Sequence, residues 1–249
     1  MSFSDIFNHL SHRPWPLPAR IWMMKQTWSD LLFMHWEVPL AFIKKLLPKN
    51  LEPDLYEGKA YIGVVPFYMS GVRFRFFPPI PTTSCFLELN VRTYVKQNGK
   101  AGVFFISLDA ESSLAVIGGR RGFFLPYHHA RMEMKKHDDV ISYKSSRLKN
   151  TDFSAALDVN YEPTSEVYYS KPGSLENWMT ERYCLYTTSK NGDIYWSEIH
   201  HKPWPLQKAK ARIESNTMIQ GLGDVFNKCE PLLHFSKKLD VPIYKLKKL

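Results

Sequence analysis

A nine-residue segment with strictly alternating side chains restricts the fold of this chain more than any other feature. Its apolar or β-branched residues alternate with polar ones: Leu87, Leu89, Val91, Thr93 and Val95 on one face, and Glu88, Asn90, Arg92 and Tyr94 on the other. Because successive side chains of a β-strand point to opposite faces, this pattern predicts a strand over 87–95. Asn98-Gly99 then favours a tight hairpin turn, and 103–108 is the predicted return strand.

The rest of the chain predicts a mainly antiparallel α+β fold with few helices. Further strands are expected at 60–67, 130–136, 140–147, 167–170, 183–188 and 194–200. Apolar spacing and a cap at Ser174 predict helices at 38–47, 174–181 and 207–220, and the prolines of 73–81 predict a loop. No break in composition requires a second domain. We therefore expect one domain over 1–249, with a Pro- and Trp-rich arm over 1–27 packed on it.

Composition and charge exclude several classes of protein. The chain has 249 residues, 33 Lys and Arg against 24 Asp and Glu, and a net charge of +9. The basic residues occur in scattered pairs without a zinc-finger, RNP-type or helix-turn-helix pattern, so nucleic-acid binding is not expected. No run approaches the ~20 apolar residues of a membrane span, and the first residues do not resemble a secretory signal. With three widely separated cysteines, we expect a cytoplasmic protein.

The polar face of the 87–95 strand is the strongest candidate for a functional site. Glu88, Asn90, Arg92 and Tyr94 are two residues apart, so their side chains project to one side at spacings of roughly 7 Å. Two interpretations are open. In the first, the row is the solvent-facing side of a half-buried sheet. In the second, it lines a closed barrel and binds a small molecule, with Arg92 holding Glu88 or a carboxylate of the ligand.

A second candidate cluster lies in the glycine-rich stretch 118–130. Its glycines permit a backbone bend and close approach, and Arg120, Tyr127 and His128 are the side chains that a common pocket would use. His128 and His129 are adjacent, so on a strand they point to opposite faces and do not share a metal ion. The chain also has no HExxH motif, cysteine pair, nucleophile elbow or phosphate-binding glycine loop. We expect neither a metal nor a cofactor.

Several longer phrases of the chain resemble the YqjF-like family of uncharacterised bacterial proteins. They are 32–36 (LFMHW), 64–67 (VVPF), 88–95 (ELNVRTYV), 125–127 (LPY), 180–183 (TERY) and 201–206 (HKPWPL). This resemblance extends over nearly the whole chain.

The order of motifs from about residue 28 to 130 is also similar to that of acetoacetate decarboxylase. The matching features are a helix ending in a proline-containing turn at 47–52, an aromatic-x-Glu motif at 86–88, an aspartate at 109, a Gly-Gly-Arg motif at 118–120 and a proline at 126. The resemblance implies a closed β-barrel with a few peripheral helices and a polar interior. It also implies that Glu88 and Arg120 belong to the pocket.

The same resemblance implies that one reaction is lost. In the decarboxylase family the first lysine after the matching proline forms a Schiff base with the keto acid, but this chain has Tyr127 there and His128 next to it. A phenol forms no imine and an imidazole forms no stable one, so this chemistry lacks its amine.

We therefore expect a cavity that binds a small anionic organic ligand through Asn90, Arg92, Tyr94 and Arg120. If the protein is an enzyme, the sequence favours acid/base chemistry of a lyase, isomerase or hydrolase type. Glu88 would be the base, and either Tyr127 or His128 would be the proton donor. Two alternatives remain, a ligand sensor or carrier without catalysis and an interaction protein that uses its basic surface.

Overall fold

Strands contain about half of the residues in the computed structural model, which describes residues 3–79, 84–148 and 154–249. Within these ranges the strands are β1 (Met24–Val38), β2 (Glu52–Pro53), β3 (Ala60–Phe74), β4 (Phe86–Gln97), β5 (Lys100–Ala110), β6 (Tyr127–His137), β7 (Val140–Arg147), β8 (Ala156–Pro163), β9 (Cys184–Thr188), β10 (Ile194–Glu198), β11 (Leu206–Asn216), β12 (Leu232–Ile243) and β13 (Lys247–Lys248). The α-helices are α1 (Leu40–Leu46), α2 (Ser113–Phe123), α3 (Leu175–Thr180) and α4 (Gly223–Lys228), and a 3-10 helix covers Phe3–Asn8. No helix in the described part of the chain combines the length and apolar character that a membrane span requires.

Hydrogen-bonded pairing links nine of the described strands into a continuous circuit. Neighbours follow in the order β5-β6-β7-β8-β11-β12-β1-β3-β4, and β4 pairs with β5 again. The pairing of β5 with β6 is parallel and the others in the circuit are antiparallel. The other half of β5 pairs in parallel with β9, which continues the sheet through β10 to β13. The predicted mainly antiparallel α+β fold is thus confirmed.

The alternating segment forms β4, and the predicted hairpin after it is confirmed. Asn98 and Gly99 have φ angles of 50° and 76°, the left-handed values that a two-residue hairpin turn requires. β3, β6, β7, β9 and β10 occupy the places of five other predicted strands. α1 and α3 lie inside two of the predicted helices, and the Ser174 hydroxyl accepts a hydrogen bond from the Asn177 amide as a cap.

Several predicted elements are wrong. Residues 207–220 form β11 and its following turn instead of a helix, because exposed charged residues alternate there with partly buried ones at a period of two. Residues 167–170 contribute one isolated bridge, between Tyr168 and Leu206, instead of a strand. The glycines of 118–122 lie in α2, where a bend was predicted. β3 continues to Phe74 into the predicted loop, of which 80–81 lie outside the described residues.

Two long strands were not predicted. β1 begins at Met24, so the predicted arm of 1–27 ends at residue 23, and its first two residues lie outside the described ranges. β12 lies beside β1 in the circuit. The arm packs on the fold through Arg13, whose guanidinium donates to the Ile199 carbonyl at 2.8 Å and to the Glu198 carboxylate at 3.3 Å.

Apolar side chains pack on both faces of β1, β3 and β4. The inner set, which includes Leu89 and Val91 of β4, packs inside the circuit with Tyr143 of β7 and Val159 of β8. Across this inner core the Tyr143 hydroxyl donates to the Glu88 carbonyl at 2.8 Å. The outer set packs beneath a covering layer made of α2, α3 and residues 199–206; its members include Phe33, Val65, Phe67, Val116, Met179 and Trp204. The sheet therefore separates two cores.

Candidate functional site

The polar row of β4 faces the outer core and is buried. Glu88, Asn90, Arg92 and Tyr94 are 3%, 6%, 8% and 1% exposed, so the solvent-facing interpretation is wrong. The row does not line the inside of the circuit either, because that side of β4 carries Leu89 and Val91 in the inner core. The alternation is real, but each face of the strand meets a different core. A row of buried polar side chains is therefore a candidate site.

Glu88 and Tyr127 form the first part of this site. The Tyr127 hydroxyl donates to Glu88 Oε2 at 2.7 Å. Burial raises the pKa of Glu88 to about 7, while the hydrogen bond from Tyr127 acts in the opposite direction. Burial, together with the charge of Glu88, raises the pKa of Tyr127 well above its usual value. Near neutral pH, Glu88 can therefore take up or release a proton, whereas Tyr127 keeps its own.

The end of α2 places Tyr127 against Glu88. α2 ends at Phe123 and is capped by Phe124, whose φ of 53° is left-handed, and the Leu125 amide donates to the Gly119 carbonyl. The Tyr127 ring then lies directly on Gly119, where a Cβ atom would meet the ring at 2.3 Å. The close approach that the sequence predicts for these glycines is thus confirmed at Gly119, within a helix.

Arg92 is the most unusual group of the site. Four arginines among the described residues are buried, and three of them have a carboxylate partner: Arg13 with Glu198 at 3.3 Å, Arg147 with Asp109 at 2.6 Å and Arg182 with Asp54 at 2.5 Å. Within the described ranges, Arg92 forms no ion pair, and its Nε and one Nη have no hydrogen-bond partner. Its guanidinium instead lies 5.1 Å from the centre of the Phe33 ring. Buried donors of this kind are rare in folded proteins and require an explanation.

His35 is a second polar group whose hydrogen bonds are incomplete. It is fully buried, and Tyr94 Oη lies 2.6 Å from its Nε2 and 3.0 Å from the Met179 carbonyl. The carbonyl can only accept, so the Tyr94 hydroxyl donates to Met179 and receives the hydrogen of His35 Nε2. Burial first, and then Arg92, hold the pKa of His35 well below its usual value. The ring is therefore neutral, and its Nδ1 carries a lone pair without a donor.

Gly63 separates His35 from Arg92 on the sheet. The three residues lie side by side on β1, β3 and β4. A Cβ atom at Gly63 would lie 3.1 Å from the His35 ring and 3.4 Å from Arg92 Cγ. The absence of a side chain at this position lets both polar groups occupy the same part of the outer core.

Other unpartnered polar atoms lie on the same face of the sheet. Trp204 packs edge-on against Phe33, with ring centres 4.9 Å apart, and its Nε1 has no acceptor. His234 is paired with Phe33 across β1 and β12, and its Nδ1 is also unpartnered. Asn90 Oδ1 lacks a donor. We call His35, Arg92, Trp204 and His234, which contact Phe33 or are paired with it, together with Asn90 on the same face of the sheet, the Phe33 cluster.

Two predicted site residues lie elsewhere. Arg120 is exposed on α2, and its Nε donates to the Tyr127 main-chain carbonyl at 2.6 Å, so it does not converge with Arg92. His128 lies beside Asp109 on the register of β5 and β6, on the opposite face of β6 from Tyr127. Burial, with Arg147 and Arg120, lowers the pKa of His128 to about 4, so near neutral pH it is a neutral imidazole and not an imidazolium acid.

The described residues offer no ready metal site, and two cavities among them lie away from the row. No three His, Cys, Asp or Glu side chains within these ranges lie close enough to share a metal ion. These two cavities, of about 10 and 250 Å³, are lined by residues outside the row. The larger lies between the N-terminal arm, residues 202–205 and β12, on the outer side of the segment that carries Trp204.

Sequence reasoning missed His35, Gly63, Trp204 and His234. The sequence offered a signal for three of these residues. His35 and Trp204 lie in two of the phrases that resemble the YqjF-like family, and Gly63 directly precedes a third. Nothing in the local pattern of β12 distinguishes His234. These residues come from four separate segments, and only the packing of the covering layer on the sheet brings them together.

Sequence comparison with known proteins identifies the family of this chain. The sequence profile of the DUF2071 family, described as an uncharacterized conserved protein, matches residues 25–240. The chain belongs to this family. It is also 46% identical over 232 residues to the uncharacterized protein YqjF of Bacillus subtilis (strain 168), across 93% of this chain and 95% of that protein. The predicted family resemblance is thus confirmed.

Solved structures confirm the likeness to the decarboxylase fold in this DUF2071 member. An acetoacetate decarboxylase-like enzyme from Sphingomonas wittichii RW1 superposes with a TM-score of 0.63 at 12% identity, over 92% of this chain and 94% of that one. The enduracididine biosynthesis enzyme MppR, complexed with pyruvate, superposes with a TM-score of 0.59 at 12% identity, over 92% and 91%. At these identities the likeness shows the fold alone.

Proposed function

We propose that this protein binds a small organic carboxylate at the Phe33 cluster and moves a proton to or from it through Glu88. The observation that carries the proposal is Arg92, which among the four buried arginines of the described ranges is the one without a carboxylate partner. A ligand carboxylate would supply the missing anion and accept from the unpartnered Nε and Nη atoms.

Glu88 is suited to the proton transfer. Its pKa of about 7 lets it exist in both forms near neutral pH, and it lies on the same face of β4 as Arg92, with Asn90 between them. Tyr127 holds the carboxyl group through its hydrogen bond at 2.7 Å and acts as a positioning residue. We therefore assign the proton transfer to Glu88 rather than to Tyr127 or His128.

The proposed chemistry excludes an imine with the protein. Tyr127 stands where the decarboxylase-like resemblance implies a lysine, and no lysine of the described residues is buried. We also propose that the circuit of nine strands corresponds to the closed barrel of the decarboxylase fold, with the site on its outer face. The complex of MppR with pyruvate makes pyruvate a reasonable first probe.

Calorimetric titration with pyruvate tests the binding step. Wild type should bind pyruvate, and Arg92→Met should weaken the affinity by about tenfold or more, the loss of a charged hydrogen bond. Arg131→Met is the matched control, because Arg131 is an exposed arginine on β6. Equal affinities in wild type and Arg92→Met would contradict the assignment of Arg92.

Deuterium exchange into the pyruvate methyl group, followed by NMR in D2O, tests proton transfer. Glu88→Gln should retain binding and lose the exchange, while Glu133→Gln, at an exposed position on β6, should retain both. Binding without exchange in the wild type would favour a ligand carrier over an enzyme.

A further inference from the structure

The unpartnered atoms of the Phe33 cluster include acceptors as well as donors. Arg92 and Trp204 present N–H groups without acceptors, whereas His35 and Asn90 present a nitrogen and an oxygen without donors. A carboxylate satisfies only the first set, because it accepts and does not donate near neutral pH. The proposed carboxylate alone therefore leaves part of the cluster unexplained.

His35 is the acceptor that the geometry defines best. Its Nε2–H donates to Tyr94, whose hydroxyl donates to the Met179 carbonyl at 3.0 Å. The opposite tautomer would cost the Tyr94–Met179 hydrogen bond, because the Tyr94 hydroxyl would then have to donate to Nε2. Its ring centre is 5.8 Å from that of Phe33, and the Arg92 guanidinium is 5.1 Å from the same ring centre. A ligand of a few atoms lying at Phe33 is within reach of both groups.

We infer that the ligand is a hydroxycarboxylic acid, whose carboxylate meets Arg92 and whose hydroxyl donates to His35 Nδ1. This inference rests on the proposed function and narrows its ligand class. An ammonium group would also donate, but the positive charges of Arg92 and Arg182 already act on His35 and oppose a further cation there. A neutral hydroxyl meets the acceptor without that repulsion.

Three probes that differ in one group separate the possibilities. Lactate, pyruvate and alanine share a carboxylate and a methyl group, and carry a hydroxyl, a carbonyl and an ammonium group on the carbon between them. Wild type should bind lactate about tenfold or more tightly than pyruvate or alanine. The pyruvate carbonyl would place an acceptor opposite the acceptor His35 Nδ1, and the alanine ammonium would place a cation near Arg92. Equal or tighter binding of pyruvate or alanine would overturn the inference.

Two substitutions at His35 test its role. His35→Asn keeps an acceptor near the place of Nδ1, and His35→Gln keeps a donor near the place of Nε2 for Tyr94. The preference for lactate over pyruvate should survive in His35→Asn and disappear in His35→Gln. A preference that survives equally in both variants would exclude His35 as the acceptor.

Nitrogen NMR of the wild type provides a measurement that does not depend on a variant folding. The His35 ring should be protonated at Nε2 alone, and its Nδ1 resonance should move with lactate and not with pyruvate. If both acids bind equally and through Arg92, the hydroxyl inference fails and the proposed function stands. If neither of the two binds, or if Arg92→Met changes nothing, the proposed function fails as well.

Discussion

Arg92 and Arg147 are both buried, yet they are held in opposite ways. Arg147 donates to both oxygens of Asp109, at 2.6 Å to Oδ1 and 3.3 Å to Oδ2, whereas Arg92 keeps two N–H donors without partners. A buried charge is tolerated when it is paired, and removing one partner of a pair leaves the other uncompensated. The two residues therefore predict opposite responses to the same substitution.

Arg92→Met should leave the free energy of unfolding unchanged or raise it by up to about 3 kcal/mol, because it removes unpartnered buried donors. Arg147→Met should lower the free energy of unfolding by about 3–5 kcal/mol, because the substitution leaves the Asp109 carboxylate buried without its partner. Chemical denaturation of both variants at neutral pH checks this. A loss in Arg92→Met as large as that in Arg147→Met would mean that the fold itself requires Arg92.

Glu88 should make the fold less stable as the pH rises. Burial raises its pKa from 4.5 to about 7, so the folded state binds the proton more tightly than the unfolded state. This stabilisation is complete below pH 4.5 and is lost as the pH rises through about 7. At about 1.4 kcal/mol per pKa unit, the loss is about 3 kcal/mol.

Glu88→Gln isolates this effect, because glutamine does not titrate and the other buried groups are unchanged. The difference in unfolding free energy between wild type and Glu88→Gln should fall by about 3 kcal/mol between mildly acidic and mildly basic pH. Denaturant titrations across that range provide the measurement. A difference that stays constant with pH would show that the pKa of Glu88 is not raised.

At the scale of elements, the packing of α2 on β6 depends on one glycine. A Cβ atom at Gly119 would meet the Tyr127 ring at 2.3 Å, whereas a Cβ atom at Gly118, also in α2, would meet nothing within 4 Å. Tyr127 in turn holds Glu88. The position of this helix and the protonation of the site are therefore linked through a single side chain.

Gly119→Ala should lower the free energy of unfolding by about 1–3 kcal/mol, because the ring must shift to admit the methyl group. It should also alter the pKa of Glu88 through the displaced Tyr127 hydroxyl. Gly118→Ala is the matched control and should stabilise the helix by up to about 1 kcal/mol. Thermal unfolding of both variants checks this; equal effects would contradict the close contact.

The sequence predicted elements where the period of the side chains is unambiguous. β4 and its hairpin fall where the alternation and Asn98-Gly99 place them. The prediction of a helix at 207–220 is wrong. The lysines and alanines of β11 favour helices individually, but pairing with β8 and β12 holds this segment as a strand. Local preference is a weak guide wherever a neighbouring strand supplies the hydrogen bonds.

At the scale of the whole molecule, the buried basic side chains of the described ranges that carry a permanent charge are arginines. The buried polar residues of the described ranges include four arginines and no lysine. An imine with a keto acid needs a lysine amine whose pKa is lowered by burial or by a neighbouring cation. The distribution of lysines therefore opposes Schiff-base chemistry across the described part of the chain.

Borohydride trapping with pyruvate or acetoacetate should consequently give no covalent adduct. Intact mass spectrometry after reduction, compared with a sample reduced without keto acid, provides the measurement. A stable adduct on any lysine would contradict the interpretation of Tyr127 as the residue that replaces the amine.

The sequence by itself determined the family, the mainly antiparallel strands and the row of Glu88, Asn90, Arg92 and Tyr94 on one face of one strand. These features depend on local spacing, because the direction of a side chain along a strand repeats every two residues. Only the tertiary structure decided that a second layer covers this face, that Arg92 has no carboxylate beside it, and that His35 and Trp204 meet it at Phe33. Burial and pairing depend on which distant segments pack together, and no local pattern contains that information.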